Sequence, residues 1–228
     1  MCVIFSPDCS YSIRLLDKLQ NLSDESNVSL DFERIKKAII FAKKYHDGQY
    51  RKSGEPFYTH PLEVAYMVSD YNLKTDVIIT SILHDVVEDT EAIIGMILDE
   101  FGWRIAEMVD MLTRDRPDGS KLSVETILNN AYEKNDNEVL LIKVLDRMHN
   151  LNSVSHIKSQ KIEKQIEESC NSRFPAITTI FSLDLEKKFF SILKKNDTKQ
   201  IHKSAYKTDY TSLRLEDSRD FQLPSIQC

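Results

Sequence analysis

The run HDVVEDT, residues 84 to 90, places four ionisable side chains in an apolar stretch that extends from Val77-Ile78-Ile79 through Ile82-Leu83 to Val86-Val87. His84 and Glu88 are four residues apart, and so are Asp85 and Asp89. On a helix each pair lies along a strip of the same face. Burying that much charge without compensation is strongly unfavourable, and a bound divalent metal ion is the simplest compensation. Asp146 poses the same problem in LIKVLDRMHN, and Asn150 and Ser153 follow it at about one-turn intervals. Together His60, His84, Asp85 and Asp146 make a mixed nitrogen and oxygen donor set. Such a set suits manganese, iron, cobalt or zinc and differs from the thiolate set of a structural zinc site.

Helices must position these groups. Asp31 is a suitable N-cap, and Phe32, Ile35, Ile39 and Ala42 follow at helical spacing until Gly48 stops the pattern. The segment RKSGEPFYTHP, 51 to 61, reads as a loop punctuated by Gly54 and Pro56. Pro61 suits the first turn of the next helix and is expected to push His60 out of the α region. A third helix is predicted from about Thr75 to Asp89, with Thr90 capping a fourth that ends near Phe101-Gly102. Trp103 to Leu112 makes a fifth, followed by a polar loop over 113 to 122 with a Pro-Asp-Gly turn signal. Ser123 to Tyr132 is a short helix. Glu138 to Asn150 is apolar on nearly every side, the mark of a buried central helix. Two more helices are expected over about 158 to 170 and 174 to 194.

No internal repeat and no alternating strand pattern is found, so the fold class is all-α. Residues 1–28 read as a partly ordered N-terminal extension and 29–195 as the domain. Residues 196–228, polar and without periodicity, read as a disordered or loosely held tail. The low content of turn formers, 5 Gly and 6 Pro in 228 residues, agrees with a helical bundle. The net charge of −6 gives no general attraction to nucleic acid or to acidic membranes, so neither is expected as a partner. A local basic patch, Lys36, Lys37, Lys43, Lys44, Arg51 and Lys52, still suits a small anionic ligand. Cys2, Cys9, Cys170 and Cys228 form no CxxC pair, which points to a reducing, cytoplasmic setting. No signal peptide is expected, and no apolar run reaches the roughly 20 residues of a membrane helix.

The His84-Asp85 pair with a distant Asp146 resembles the HD phosphohydrolase superfamily. RKSGEPFYTHP, HDVVEDT and LIKVLDRMHNL, in this order and at this spacing, resemble more closely the hydrolase domain of the RelA/SpoT homologues. The resemblance runs from about Phe32 to Leu193 and implies a compact multi-helix HD bundle acting on the alarmone (p)ppGpp. It implies that His60, His84, Asp85 and Asp146 hold Mn2+, and that Glu88 and Asp89 position and deprotonate the attacking water. Arg51, Lys52, Ser53 and Asn150 would contact the nucleotide, with Ser153 keeping a hydroxyl where the family has threonine. The implied reaction removes the 3′-diphosphate, giving GDP or GTP and pyrophosphate. The residue chemistry agrees: a carboxylate one turn from metal ligands can orient water or take its proton, and Arg51 and Lys52 are apt clamps for a diphosphate.

The chain also departs from the family. His149-Asn150-Leu151-Asn152-Ser153 stands for HNMRT, FPAITTIFSLD replaces APLAHRLG, and 114 to 137 lacks the QAEN-type segment. No synthetase segment is expected after Lys195, so the chain resembles a stand-alone hydrolase or a fragment of a longer enzyme. Two alternatives stay open: an HD hydrolase of another nucleotide, and a degenerate fragment that binds alarmone or a partner protein without turnover. His46 and His149 read as structural, and Trp103 as a packing residue.

Overall fold

Asp31 caps the helix that follows it: its Oδ1 accepts the Arg34 backbone N–H at 3.0 Å, satisfying one of the donors a helix start leaves open. In this computed structural model, residues 9–153, 166, 168, 169 and 174–196 are described. The helices are α1 (Ser10–Ser26), α2 (Phe32–Tyr45), α3 (Thr59–Val68), α4 (Thr75–Leu83), α5 (Val86–Asp89), α6 (Ile94–Phe101), α7 (Trp103–Leu112), α8 (Val124–Glu133), α9 (Asn137–Ser153), α10 (Phe174–Phe181) and α11 (Leu183–Asn196). Among the described residues strand pairing is limited to two isolated bridges, Tyr50 with Pro56 and Asp115 with Lys121. The fold is all-α, as the sequence predicts. None of the described helices is long and apolar enough to cross a membrane.

The chain divides into two compact units, Met1–His149 and Asn150–Cys228, and the division falls inside α9. In the first unit α4 is the hub. It packs against α2, α3 and α7, and Val77 to Leu83 are all buried. Each large aliphatic side chain removed from water there contributes about 1.5–3 kcal/mol. The α9 segment from Val139 to Met148 is buried without interruption, and that run includes Lys143, Asp146 and Arg147. In the second unit α10 packs on α11, and Phe174 lies 5.9 Å from Phe189, ring centre to ring centre.

Several elements differ from the sequence reading. The N-terminal stretch holds a regular 17-residue helix, α1, which packs on α3 and has Leu15 and Leu19 fully buried. The helix expected over Thr75 to Asp89 is broken at His84-Asp85. Thr90 does not cap the next helix: its hydroxyl donates to the Val86 carbonyl at 2.6 Å and accepts from Ala92 N at 3.1 Å, closing α5 instead. α3 starts at Thr59, so His60 lies within its first turn and Pro61 follows it there, where a missing N–H has no consequence. The helix expected over 174 to 194 is two, because the Ser182 hydroxyl accepts from Leu185 N at 3.0 Å and caps a new start. The helix read over 158 to 170 falls mostly outside the described residues, although 166, 168 and 169 are helical. Of the tail read over 196–228, Asn196 ends α11 and residues 197–228 fall outside the described residues.

Candidate metal centre and active site

Three buried donors converge in the first unit. His60 comes from α3, His84 from the end of α4 and Asp146 from the middle of α9. One ligand-type atom from each lies within 4.8 Å of the others. His60 Nε2 is 3.2 Å from Asp146 Oδ1 and 3.4 Å from Asp85 Oδ2. His84 Nε2 is 3.1 Å from Asp85 Oδ1 and 3.7 Å from Asp146 Oδ1. All four residues that the sequence reading put forward as ligands therefore meet at one place.

His84 lies at the break between α4 and α5 and is oriented by a backbone contact. Its Nδ1 donates to the Ser81 carbonyl at 2.8 Å, an acceptor the helix would otherwise use. Nε2 is then the nitrogen facing the carboxylates, and it is a buried atom that makes no hydrogen bond. A histidine fixed by a backbone carbonyl with its other nitrogen directed at two carboxylates has the arrangement of a metal ligand. In the protein without an ion, burial opposes the charged ring, but Asp85 and Asp146 outweigh it and raise the His84 pKa to about 9. A cation is wanted at this point, and a divalent ion fits the donor set.

His60 and Asp146 have their own supports. His60 Nδ1 lies 2.8 Å from Nδ1 of His149, so one of the two rings donates to the other. Burial, then the neighbouring His60 and Arg51, push the His149 pKa down to about 3, which keeps that ring neutral and able to accept. Lys143 Nζ is 3.2 Å from Asp146 Oδ2 in a setting where both side chains are about nine-tenths buried. Burial works against the Asp146 charge, yet Lys143, His60 and His84 hold its carboxyl well below the usual range.

The two carboxylates one turn on are not equivalent. Glu88 is held from the 113–122 loop: Arg114 N donates to its Oε2 at 3.0 Å, and Lys121 Nζ is 3.3 Å from its Oε1. Asp89 lacks such a clamp, and burial followed by the Asp85 and Glu88 charges raises its pKa to about 6. Arg51, Lys52 and Ser53 form the tip of a tight loop in which Gly54, at φ +90°, donates its N–H to the Arg51 carbonyl at 2.9 Å. Lys52 and Ser53 are exposed and Arg51 is half-buried. Asn150 and Ser153 lie on the end of α9 that belongs to the second unit.

The HD domain family matches residues 38–174, which spans all four converging donors. The chain belongs to the HD-domain family. It is 34% identical, across 157 residues, to a GTP pyrophosphokinase of Myxococcus xanthus; the match covers 64% of the chain and 20% of that protein. A guanosine-3′,5′-bis(diphosphate) 3′-pyrophosphohydrolase of Aquifex aeolicus is 32% identical over 143 residues, covering 60% of the chain and 20% of that protein. The chain thus spans about a fifth of the length of the curated relatives it matches. A solved structure described as a metazoan ortholog of SpoT that hydrolyses ppGpp superposes with a TM-score of 0.59 at 22% identity, covering 71% of this chain and 94% of that one. The fold is shared with that structure, and the resemblance carried by the three sequence motifs is borne out.

Sequence reasoning missed Lys143 and the supports of Glu88, and it read His149 as structural without its contact to His60. His149 follows Asp146 by three residues, and three residues on a helix turn the side chain by about 300°, which is only 60° short of a full turn. That spacing was the available signal. The supports of Glu88 come from a loop that a helix-period reading does not place.

Proposed function

We propose that the chain is a metal-dependent (p)ppGpp 3′-pyrophosphohydrolase that acts in the cytoplasm, with Mn2+ held by His60, His84, Asp85 and Asp146. The observation that carries this is the buried His84 Nε2, which makes no hydrogen bond and faces Asp85 and Asp146 beside His60. The relatives named for ppGpp chemistry supply the substrate. A divalent ion supplies Lewis acidity and charge at the reacting phosphate.

The chain's own residues do the rest. Arg51, Lys52 and Ser53 on the exposed loop tip hold the diphosphate oxygens through charge-assisted hydrogen bonds. Glu88, fixed by Arg114 N and Lys121, orients the water. Asp89, with a pKa raised to about 6, is ionised at neutral pH and basic enough to take the water proton. The oxygen of that water joins phosphorus, the bond from phosphorus to the ribose 3′ oxygen breaks, and that oxygen takes up a proton. The products are GDP or GTP and pyrophosphate. The partner is a small nucleotide, with no role for nucleic acid or membrane.

The departure at Asn152, where the family has arginine, favours one second reading: the same centre acting on another nucleotide. Pyrophosphate release from ppGpp, with and without Mn2+ and with Asp85→Ala as control, tests the first reading. Metal-dependent release that the variant abolishes supports it. No release from folded, manganese-loaded protein refutes it, and phosphate release from dNTPs, NADPH and nucleoside monophosphates then tests the second. Binding of ppGpp without turnover of any of these would mark an alarmone-binding remnant.

A further inference from the structure

The loop that carries Arg51, Lys52 and Ser53 is closed on itself. Phe57 N donates to Gln49 O at 2.9 Å, Arg51 N to Glu55 O at 2.8 Å, and Tyr50 pairs with Pro56. Gln49 and Phe57 form the neck of this loop, and both are tied into the site behind it. The Phe57 ring stacks on His46, with ring centres 4.8 Å apart, and lies nearly perpendicular to the His60 ring, with centres 6.4 Å apart.

The Gln49 side chain spans two elements. Its Nε2 donates to the Asp89 carbonyl at 2.8 Å. Its Oε1 lies 2.8 Å from Nδ1 of His46. The Asp89 carbonyl belongs to the last turn of α5, where carbonyls have no donor within the helix. His46 is 1% exposed, and burial keeps its pKa below the ordinary value, so the ring is neutral and carries one N–H. Oε1 can only accept, so that N–H is on Nδ1. The Asp89 carbonyl can only accept, so it fixes the polarity of the amide, and Oε1 in turn selects the Nδ1–H tautomer of His46. With the amide reversed, Oε1 would face the Asp89 carbonyl oxygen, two acceptors in contact.

We infer that Gln49 and His46 are positioning residues that lock the cationic loop to the Glu88-Asp89 segment, so that the anion clamp and the groups that handle water keep one register. The inference rests on the hydrolase reading above for its catalytic consequence and on the hydrogen bonds alone for its mechanical one. It gives a specific role to a histidine that the sequence reading takes as structural.

The test uses the full manganese-loaded chain and the variants Gln49→Ala, His46→Asn and His46→Asp. Asn places an amide donor near the position of Nδ1, whereas Asp presents only acceptors at neutral pH. Two readouts are taken: amide hydrogen exchange over 49–57 and over 85–90, and kcat and KM for pyrophosphate release from ppGpp with manganese content measured beside them. Gln49→Ala and His46→Asp are expected to speed exchange in both segments, raise KM and lower kcat/KM at least tenfold, with manganese content unchanged. His46→Asn is expected to stay close to the parent. Exchange that rises in only one segment, or in neither, overturns the coupling. A His46→Asn variant as impaired as His46→Asp also overturns it, because ring packing on Phe57 would then be the operative contact. A parent chain that releases no pyrophosphate would sink the hydrolase reading, while the exchange data would still decide the coupling.

Discussion

Lys143→Met is the perturbation that best separates a metal centre from an ordinary buried ion pair. Lys143 Nζ and Asp146 Oδ2 are 3.2 Å apart, and both side chains are about nine-tenths buried. At an effective dielectric of about 20 their attraction is about 5 kcal/mol. Removing one partner of a buried pair costs about 3–5 kcal/mol, because the other charge is left uncompensated. Methionine keeps the stem of the side chain and removes only the charge. In metal-free protein the midpoint of thermal unfolding should therefore fall by on the order of 10 °C, at about 2–4 °C per kcal/mol for a chain of this size. With saturating Mn2+ the ion supplies the missing positive charge, so the loss should shrink to about 1–2 kcal/mol. By linkage the difference, about 3 kcal/mol, must appear as about 100-fold tighter Mn2+ binding. Thermal melts with and without Mn2+ and calorimetric titration measure both quantities. Equal destabilisation in the two melts, with unchanged Mn2+ affinity, would show that Asp146 does not hold the ion and would refute the assignment.

Three further outcomes are expected. Asp89 has a folded-state pKa raised to about 6, so its charge disfavours the folded protein and stability is lost as pH rises through that value. Asp89→Asn should raise the melting temperature of the metal-free protein at pH 8 and leave it nearly unchanged at pH 4, where the carboxyl is largely protonated in the folded protein; an equal gain at both would point to packing instead. Glu88→Gln keeps the contact with Arg114 N and removes the charge, and should lower kcat by about 10²-fold with unchanged Mn2+ affinity; steady-state kinetics and metal titration check it. Arg104, bidentate to Asp136 and bonded to Glu138 and Glu107, staples α7 to the start of α9, so Arg104→Met should cost about 2 kcal/mol by urea titration and leave Mn2+ binding alone.

The parts of this site that the sequence announces are those governed by periodicity. His84, Asp85 and Asp146 stand out because each interrupts an apolar run, and the runs themselves predict the burial of α4 and α9. The break after Leu83 is not visible in the pattern, because it depends on the His84 ring taking the Ser81 carbonyl, a choice made by a side chain within an otherwise regular helix. The same holds for Gln49, whose two hydrogen bonds reach partners at sequence separations of 3 and 40. α1 escapes notice because its apolar face is narrow: Leu15 and Leu19 carry the packing, with the small Ser12 and Ser23 beside them. Polar composition there reads as an extension until the packing of α1 on α3 is known.

The centre closes across a separation of 86 residues, from His60 to Asp146. During synthesis a nascent chain carries both histidines long before the helix that supplies Asp146 emerges, so the ion can be captured tightly only after α9 has docked. Contacts of such long range form late in folding, and an ion that binds only the finished arrangement draws the population toward it by mass action. A divalent ion would then act as a check on completion of the first unit, and chains made in a metal-poor medium would be left longer in the state that proteases recognise.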